Sequence, residues 1–283
     1  MHTEVQAFFD KPTNTVSYVV KDPQSNICAI IDPVLEYAPE SGHTSTVSAQ
    51  AIEVFIQSGD LRADWIFETH AHADHLSAAP YLKERLGSKI GVGANITIVQ
   101  NVFGKVFNAG FEFQRDGSQF DALFDDGAAI EIGALCGCAI HTPGHTPDSM
   151  TYVFGDAAFG GDTLFMPDYG TARCDFPGGD PRQLYRSIQK IFALRRKHGS
   201  SCAMIICRPA ALNIAGRPRS PSSERITFRS MMASQRISSS SYGSGATPRL
   251  KCRDLLFHPC KSTCAPGSCP PRKTMASLIS RFR

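Results

Sequence analysis

The chain has 283 residues, of which 42% are hydrophobic, and this composition is typical of one large folded domain. Its first residues contain neither the basic segment nor the apolar segment of a secretory signal, and no apolar run approaches the length that crosses a bilayer. The composition therefore argues against a secreted or membrane-spanning protein, and we expect a cytoplasmic protein without a membrane partner.

The net charge of +3 averages over two very different regions. Residues 1–194 contain 12 Lys and Arg against 24 Asp and Glu, whereas residues 195–283 contain 17 basic and 2 acidic residues. After Leu194, Ser, Arg, Pro and Cys become frequent and the hydrophobic periodicity fades. We therefore predict a folded domain over residues 1–194 and a tail of different character over residues 195–283.

The first part of the domain is predicted to alternate between strands and helices, which is the pattern of an α/β fold. Val16–Val20 and Cys28–Ile31 are predicted strands. Ala49–Gln57 is a predicted helix, and we expect Val54 and Phe55 to face the core.

The most informative segment is a run of four metal-ligand residues within six positions, in the spacing H-x-H-x-D-H: His70, His72, Asp74 and His75. An apolar strand precedes this run, and a predicted helix over Ala78–Leu86 follows it and ends at Gly87. Neutral imidazoles and carboxylates bind zinc and iron. A loop between a strand and a helix allows all four side chains to converge on one point, so we predict a metal site here.

Two further segments supply candidate ligands. The apolar strand Leu135–Ile140 leads into His141-Thr142-Pro143-Gly144-His145, in which the Pro-Gly turn can aim His145 at the first loop. The apolar segment Ala157–Phe159 leads into Gly161-Asp162-Thr163, which makes Asp162 a candidate carboxylate ligand. His141 lies at the end of its strand, where we expect a hydrogen-bonded supporting or core histidine rather than a ligand.

A helix follows the third motif. Asp180 is its predicted N-cap, and Pro181 occupies the first helical position. Its apolar residues recur at helical spacing and predict a buried stripe formed by Leu184, Tyr185, Ile188, Ile191 and Phe192.

The cysteines give no comparable signal. Cys136 and Cys138 form a C-x-C pair on a predicted strand, where two thiolates on one face could bind a metal, but small strand residues are the better interpretation. Four further cysteines between residues 252 and 269 have spacings that match no common zinc pattern. We therefore expect no metal site built on cysteine.

As a set, the three histidine and aspartate motifs resemble those of the metallo-β-lactamase superfamily, over residues 1 to about 194. The resemblance implies an αββα sandwich with a metal site at one edge, between the two sheets. Gly170, Arg173, Asp175 and Phe176 match a G-x-x-R-x-D-F pattern of the persulfide dioxygenase and glyoxalase II-like branch. Within that branch the chain is similar to the bacterial β-lactamase-like hydrolase proteins.

The resemblance implies two alternative chemistries. In the first, His70, His145 and Asp162 form a facial triad around Fe(II), and glutathione persulfide is oxidised by O2 to sulfite and glutathione. In the second, two zinc ions share a bridging hydroxide that hydrolyses a glutathione thioester. One zinc would take His70, His72, His145 and Asp162, and the other would take Asp74, His75 and Asp162. We favour the iron enzyme, with no catalytic residue beyond the metal ligands.

The substrate in both cases is a small glutathione-linked sulfur compound. Arg173 is a candidate to hold a substrate carboxylate, together with Asp175, although a structural Arg173–Asp175 ion pair explains the same two residues equally well. The sequence allows a homodimer and gives no indication of a nucleic-acid partner.

The genetic code suggests an origin for the tail. Consider a shifted reading frame, in which each new codon consists of the third base of one codon and the first two bases of the next. In this frame Met204-Ile205 must encode Asp, and the flanking codons permit Cys-His before it and Tyr after it. Cys-His-Asp-Tyr resembles the family's sequence at this point, where the histidine is the last ligand of two-metal members. In the same frame Met231-Met232-Ala233 forces Asp-Gly.

We therefore predict that residues 195–283 are a frame-shifted, disordered tail and that the C-terminal part of the sandwich has been lost. The alternative is a genuine basic extension of the kind that binds nucleic acid. The loss would leave apolar surface uncovered, so an inactive, aggregating remnant is a third hypothesis for the chain, which its solubility would test.

Overall fold

The computed structural model describes residues 3–165, 170–197 and 204–206. Fourteen strands and four helices are described: β1 Glu4–Asp10, β2 Thr15–Lys21, β3 Ile27–Ile31, β4 Val34–Ala38, β5 His43–Ser45, α1 Val47–Ser58, β6 Arg62–Phe67, β7 Leu76–Ser77, α2 Ala79–Leu86, β8 Lys89–Gly93, α3 Ile96–Val106, β9 Ala122–Phe124, β10 Ala129–Ile132, β11 Leu135–His141, β12 Met150–Phe154, β13 Ala157–Phe159, α4 Pro181–Lys197 and β14 Met204–Ile206. A single 3-10 turn, Gly161–Thr163, follows β13.

Two main sheets form the centre of the fold. The first has the strand order β1-β2-β3-β6-β8-β9, antiparallel through β3 and parallel from β3 to β9. The second has the order β10-β11-β12-β13-β14, antiparallel except for the parallel β13–β14 pair. A small third sheet, β5-β4-β7, lies at the side.

The main core fills the space between the two sheets. Phe67 of β6 packs against Tyr152 and Phe154 of β12, with ring centroids 4.8 and 5.7 Å apart. On the other face of the first sheet, Ile52 and Ile56 of α1 and Leu82 of α2 pack on the strands in a second core. Leu184, Ile188, Ile191 and Phe192 of α4 form a third cluster with Leu164. The layers are therefore helix, sheet, sheet, helix, and the predicted αββα sandwich is confirmed.

Two predicted core positions were wrong. Val54 of α1 is 62% exposed, because Ile52 and Ile56 set the buried face of the helix and Val54 projects away from it. Tyr185 of α4 is 65% exposed, although the other four residues of the predicted stripe are buried. Phe55 is partly buried and stacks edge-on against Phe8, as expected for an inward position.

The predicted helix boundaries fit well. α2 ends at Leu86, and Gly87 adopts the left-handed conformation (φ 71°) of a C-terminal cap. At the start of α4, Asp180 Oδ1 accepts hydrogen bonds from the backbone N–H groups of Arg182 and Gln183, at 2.8 and 3.3 Å. Asp180 is therefore an N-cap, as predicted.

The predicted boundary at residue 194 falls inside a helix. α4 continues to Lys197, and β14 pairs with β13, with Ala157 opposite Met204. The remaining residues of the predicted tail lie outside the described residues, so the frame shift and the domain division stay predictions. No helix in the described part of the chain combines the length and the apolar character needed to cross a membrane.

Candidate metal centre

Three strands bring the candidate ligands to one edge of the sandwich. β6 ends at Phe67, shortly before His70, and β13 ends at Phe159, shortly before Asp162. β11 and β13 run in the same direction, because each is antiparallel to β12 between them. Their carboxyl ends therefore lie at the same edge, and the loop after β11 carries His145 to that edge.

His70, His145 and Asp162 form the first group of ligand atoms, all within 4.8 Å of one another. The three residues are only 2%, 5% and 9% exposed. His145 Nε2 lies 3.7 Å from Asp162 Oδ2, and the rings of His70 and His145 are 5.1 Å apart. Two buried imidazoles and one carboxylate thus face a common point.

The tautomers of His70 and His145 follow from their neighbours. Thr69 Oγ1 donates to Asp32 Oδ2 at 2.8 Å, so towards His70 Nδ1, 3.0 Å away, it acts as an acceptor. His145 Nδ1 donates to the carbonyl oxygen of Arg173 at 2.7 Å. In both rings the proton sits on Nδ1, and the Nε2 lone pair points to the shared space.

His72, Asp74 and His75 form a second group of ligand atoms within 4.8 Å of one another. His75 Nδ1 donates to the carbonyl oxygen of Leu76 at 3.0 Å, and its Nε2 is buried without a hydrogen-bond partner. Burial lowers the pKa of His75 to about 4, so its ring is neutral at neutral pH, as a metal ligand must be. Asp74 differs from the two histidines in being exposed.

Two carboxylates bond to the Nε2 atom of His72. Its Nε2 lies 3.1 Å from Asp32 Oδ1 and 3.0 Å from Glu68 Oε2, so Nε2 carries the proton that it donates. Its Nδ1 is buried and has no hydrogen-bond partner. Burial opposes the charged ring, but Asp32 and Glu68 outweigh it and raise the pKa of His72 well above its usual range. A metal ion would have to displace a proton from Nδ1 to bind there.

Asp32 and Glu68 were missed by the sequence analysis. Both are buried, and burial raises the pKa of Glu68, whereas the hydrogen bonds and charge of the neighbouring His72 outweigh burial and lower the pKa of Asp32. Ser77 Oγ donates to Glu68 and Thr69 N donates to Asp32 at 2.7 Å. Their positions in the sequence could have identified these two residues, because Asp32 directly follows β3 and Glu68 directly follows β6.

Two backbone features keep the ligand loops in place. Asp148 is fully buried, and its Oδ2 accepts the backbone N–H of Ala71 at 2.8 Å, between His70 and His72. Gly161 has φ 49°, and a Cβ atom there would collide with Thr69 Oγ1. A glycine is therefore required where the chain turns to place Asp162 beside His70.

The candidate substrate residues lie at the margin of this site. Arg173 Nη2 donates to Asp175 Oδ2 at 2.6 Å, and both side chains are substantially exposed. The guanidinium also lies 5.0 Å from the centre of the Phe176 ring, which packs edge-on against His145 at 5.2 Å. The structure thus forms the Arg173–Asp175 pair and places it next to a candidate ligand.

His141 and the cysteine pair of β11 lie outside the candidate ligand groups of the described residues. His141 Nε2 donates to the carbonyl oxygen of Pro147 at 2.8 Å. Among the described residues, neither His141 nor the Cys136 and Cys138 pair belongs to a cluster of potential metal ligands. Cys136 is exposed and Cys138 is half-buried, both as free thiols on β11.

The donor set fits a metal ion. Each of the four histidines has one ring nitrogen bonded to an oxygen atom of the protein, which leaves the other nitrogen to face the loop edge. Nδ1 of His72 and Nε2 of His75 are buried without a hydrogen-bond partner among the described residues. Buried polar atoms without partners are rare in folded proteins. Ligands oriented by such hydrogen bonds are a general feature of metal sites.

Comparison with known proteins agrees with this interpretation. The family model of the metallo-β-lactamase superfamily matches residues 10–197. A probable metallo-hydrolase of Burkholderia pseudomallei is 56% identical over 200 residues, which are 67% of this chain and 68% of that protein. A β-lactamase hydrolase-like protein of Agrobacterium fabrum is 50% identical over 190 residues, and the chain spans only 44% of its length.

More distant relatives carry names of two enzyme types. Glyoxylase B2 of Dictyostelium discoideum is 39% identical over 237 residues, 83% of this chain and 77% of that protein. The human mitochondrial persulfide dioxygenase ETHE1 is 30% identical over 193 residues, 67% of this chain and 63% of that protein.

A solved structure shows the same relationship. The crystal structure of ETHE1 from Myxococcus xanthus superposes with a TM-score of 0.56 at 25% identity, over 77% of this chain and 78% of that one. Relatives named as hydrolases and dioxygenases support an enzyme. By its fold, its matched residues and its relatives, the chain belongs to the metallo-β-lactamase superfamily.

Proposed function

We propose that the protein is a persulfide dioxygenase-like metalloenzyme, which oxidises glutathione persulfide with O2 to sulfite and glutathione. The observation that carries this proposal is the first ligand group, the buried His70, His145 and Asp162. Two histidines and one carboxylate are the donor set of non-haem iron oxygenases, and they leave coordination positions open for substrate and O2. The 30% identity to a persulfide dioxygenase over two thirds of the chain supports the same reaction.

In the proposed reaction the protein mainly orients the metal ligands. Thr69 and the carbonyl oxygen of Arg173 hold the rings of His70 and His145 with their Nε2 atoms towards Asp162. Fe(II), when bound, supplies the redox chemistry with O2. Because all three ligands are buried and hydrogen bonds hold both histidine rings, little rearrangement should be needed to hold the ion.

The substrate would be held at the margin of this site. Arg173 is bonded to Asp175 in a geometry that also suits a substrate carboxylate, and glutathione carries two carboxylates. Exchange of Asp175 for a substrate carboxylate would hold glutathione beside Phe176, whose ring packs against the candidate ligand His145. Arg173→Gln should then raise KM for the persulfide without lowering the iron content.

A second candidate is a di-zinc hydrolase of glutathione thioesters. The second ligand group, His72, Asp74 and His75, favours it, and so does the 39% identity to glyoxylase B2 over 83% of the chain. In that enzyme Asp162 would serve both metals, and His72 would join the first one. The hydrolytic water would then be activated between the two groups.

The decisive experiment compares both reactions on one preparation. The chain is reconstituted anaerobically with Fe(II) or with Zn(II), and each form is assayed for O2 uptake with glutathione persulfide and for hydrolysis of a glutathione thioester. We expect O2 uptake with sulfite release from the iron form only. Thioester hydrolysis by the zinc form, without O2 uptake by the iron form, would favour the alternative.

A further inference from the structure

A pocket lies between the two sheets beside the candidate metal centre. Its volume is about 330 Å³ including its open mouth, and the enclosed part has room for a water-sized molecule. One wall is apolar and includes Tyr18 and Phe159, whose rings are 5.3 Å apart. The other wall carries Asp32, His72 and Asp162.

Thr15 lines this pocket with a hydroxyl group that the protein leaves unsatisfied. Thr15 is the first residue of β2 and is only 3% exposed. Its Oγ1 is buried and makes no hydrogen bond with any described residue. A buried hydroxyl without a partner is unfavourable, so such an atom indicates either a structural cost or a bound water molecule.

The surroundings favour a bound water. A buried water needs space and two to four polar partners. The Thr15 hydroxyl can both donate and accept, and the carboxylates of Asp32 and Asp162 line the same space as acceptors. Asp32 Oδ2 accepts one hydrogen bond, from Thr69 at 2.8 Å, which leaves capacity for a second.

The proposed reaction consumes one water molecule. Sulfite contains three oxygen atoms, and O2 supplies two of them. Glutathione persulfide, O2 and water together give glutathione, sulfite and two protons, which balances atoms and charge. O2 is reduced as it oxidises the outer sulfur to the level of GS–SO2⁻. Water oxygen then bonds to that sulfur while the S–S bond breaks, and the S–S electron pair leaves with the glutathione sulfur, which takes a proton.

We propose that Thr15 holds this water in the pocket between Asp32 and Asp162 and is therefore a positioning residue for the hydrolytic half of the reaction. The inference rests on the proposed function, since the role that it assigns to this water is the cleavage of the S–S bond in the persulfide reaction. Thr15 is not one of the candidate metal ligands, and it acts through the water that it orients.

The first test is structural and needs no activity. Crystal structures of the metal-free full chain should show a water within hydrogen-bond distance of Thr15 Oγ1 in the wild type and in Thr15→Ser. The water should be absent in Thr15→Val, which keeps the shape of the side chain and removes the hydroxyl. An empty pocket in the wild type would overturn the inference.

The second test is kinetic. Iron-loaded Thr15→Val should keep its iron and its KM for persulfide but lose about tenfold in kcat for sulfite release, with GS–SO2⁻ accumulating as O2 is consumed. Thr15→Ser should restore sulfite release. Thr3→Val is the matched control, because Thr3 is equally buried but its hydroxyl donates to the carbonyl oxygen of Phe154 at 2.8 Å, outside the pocket.

The outcomes separate the inference from the proposed function. Sulfite release at the wild-type rate by iron-loaded Thr15→Val would overturn the role of Thr15 and leave the dioxygenase intact. A wild-type iron form that takes up no O2 with persulfide would overturn the proposed function, and with it the role of the water. Equal losses in Thr15→Val and Thr3→Val would point to general destabilisation and would also overturn the inference.

Discussion

The two ligand groups of the candidate metal centre are built in different ways. His70, His145 and Asp162 come from three separate loops, and all three are buried. His72, Asp74 and His75 come from one loop, and Asp74 is exposed. The first group therefore forms only when the whole sandwich is assembled, whereas the second lies within four consecutive residues, 72–75.

The supports of the two groups differ as well. The first group is held by neutral partners, Thr69 and the carbonyl oxygen of Arg173. In the second group, His72 is bonded to the two buried carboxylates Asp32 and Glu68, which favour a proton on its ring. A metal ion thus competes with a proton at His72, whereas the Nδ1 atoms of His70 and His145 bond to a hydroxyl and a carbonyl oxygen rather than to carboxylates. This difference favours a single metal ion held by His70, His145 and Asp162.

The largest expected effect is at His145. His145→Ala removes one of three ligands, so we expect loss of bound iron and of all activity. His43→Ala is the control, because His43 is an exposed histidine on β5 outside the described ligand clusters. Metal analysis by mass spectrometry checks both variants, and full iron content in His145→Ala would contradict the assignment of the site.

Substitution of one aspartate in each group tests whether the two groups bind metal independently. Asp162→Ala should lose iron, because Asp162 is the only carboxylate of the first group. Asp74→Ala should keep most of its iron and lose activity only in part, since Asp74 serves the second group. If both variants lost metal equally, the two groups would act as one two-metal site.

A smaller effect is expected at the glycine that places Asp162. Gly161→Ala meets both an unfavourable left-handed backbone and a collision with Thr69, so we expect the free energy of unfolding to fall by about 3 kcal/mol, with weaker iron binding. Gly42→Ala is the control, because Gly42 has φ 70° with no atom within 4 Å of its Cβ position. Its cost should be about 1 kcal/mol, with normal iron binding. Urea unfolding and metal titration measure both quantities.

The smallest effect concerns the carboxylate that holds the ligand loop. Asp148→Ala removes the acceptor for the backbone N–H of Ala71, and we expect metal affinity to fall by about 10- to 100-fold. Asp148→Asn keeps an acceptor oxygen and should recover most of that loss. Asp22→Ala is the control, since Asp22 is equally buried and accepts the N–H of Ala134 at 2.8 Å, away from the ligand loops. Competition titrations that show the same affinity for all variants would remove Asp148 from the site.

The sequence contained the ligands but not their supports. The H-x-H-x-D-H spacing, the Pro-Gly turn before His145 and the glycine before Asp162 are local patterns, so the ligand loops could be predicted one by one. Asp32 and Asp148 act on residues 40 and 77 positions away, and only the assembled sheets bring them into contact. Long-range pairing of this kind leaves no pattern in a single sequence.

The helices also show where prediction from a single sequence ends. The period of α1 and α4 predicted both helices, but two residues beside the apolar stripe, Val54 and Tyr185, were wrongly placed inside. Periodicity fixes the buried face only to within one residue on either side, and the packing partner decides the rest. The strand ends were easier, because each apolar run stops where a ligand loop begins.

A single iron ion in the first ligand group is what distinguishes the proposed dioxygenase from the di-zinc alternative. The most direct measurement is the metal content of the chain purified without added metal, by mass spectrometry, together with O2 uptake on glutathione persulfide. We expect about one iron per chain and O2 uptake that follows the iron content. Two zinc ions per chain, with hydrolysis of a glutathione thioester and no O2 uptake, would contradict it.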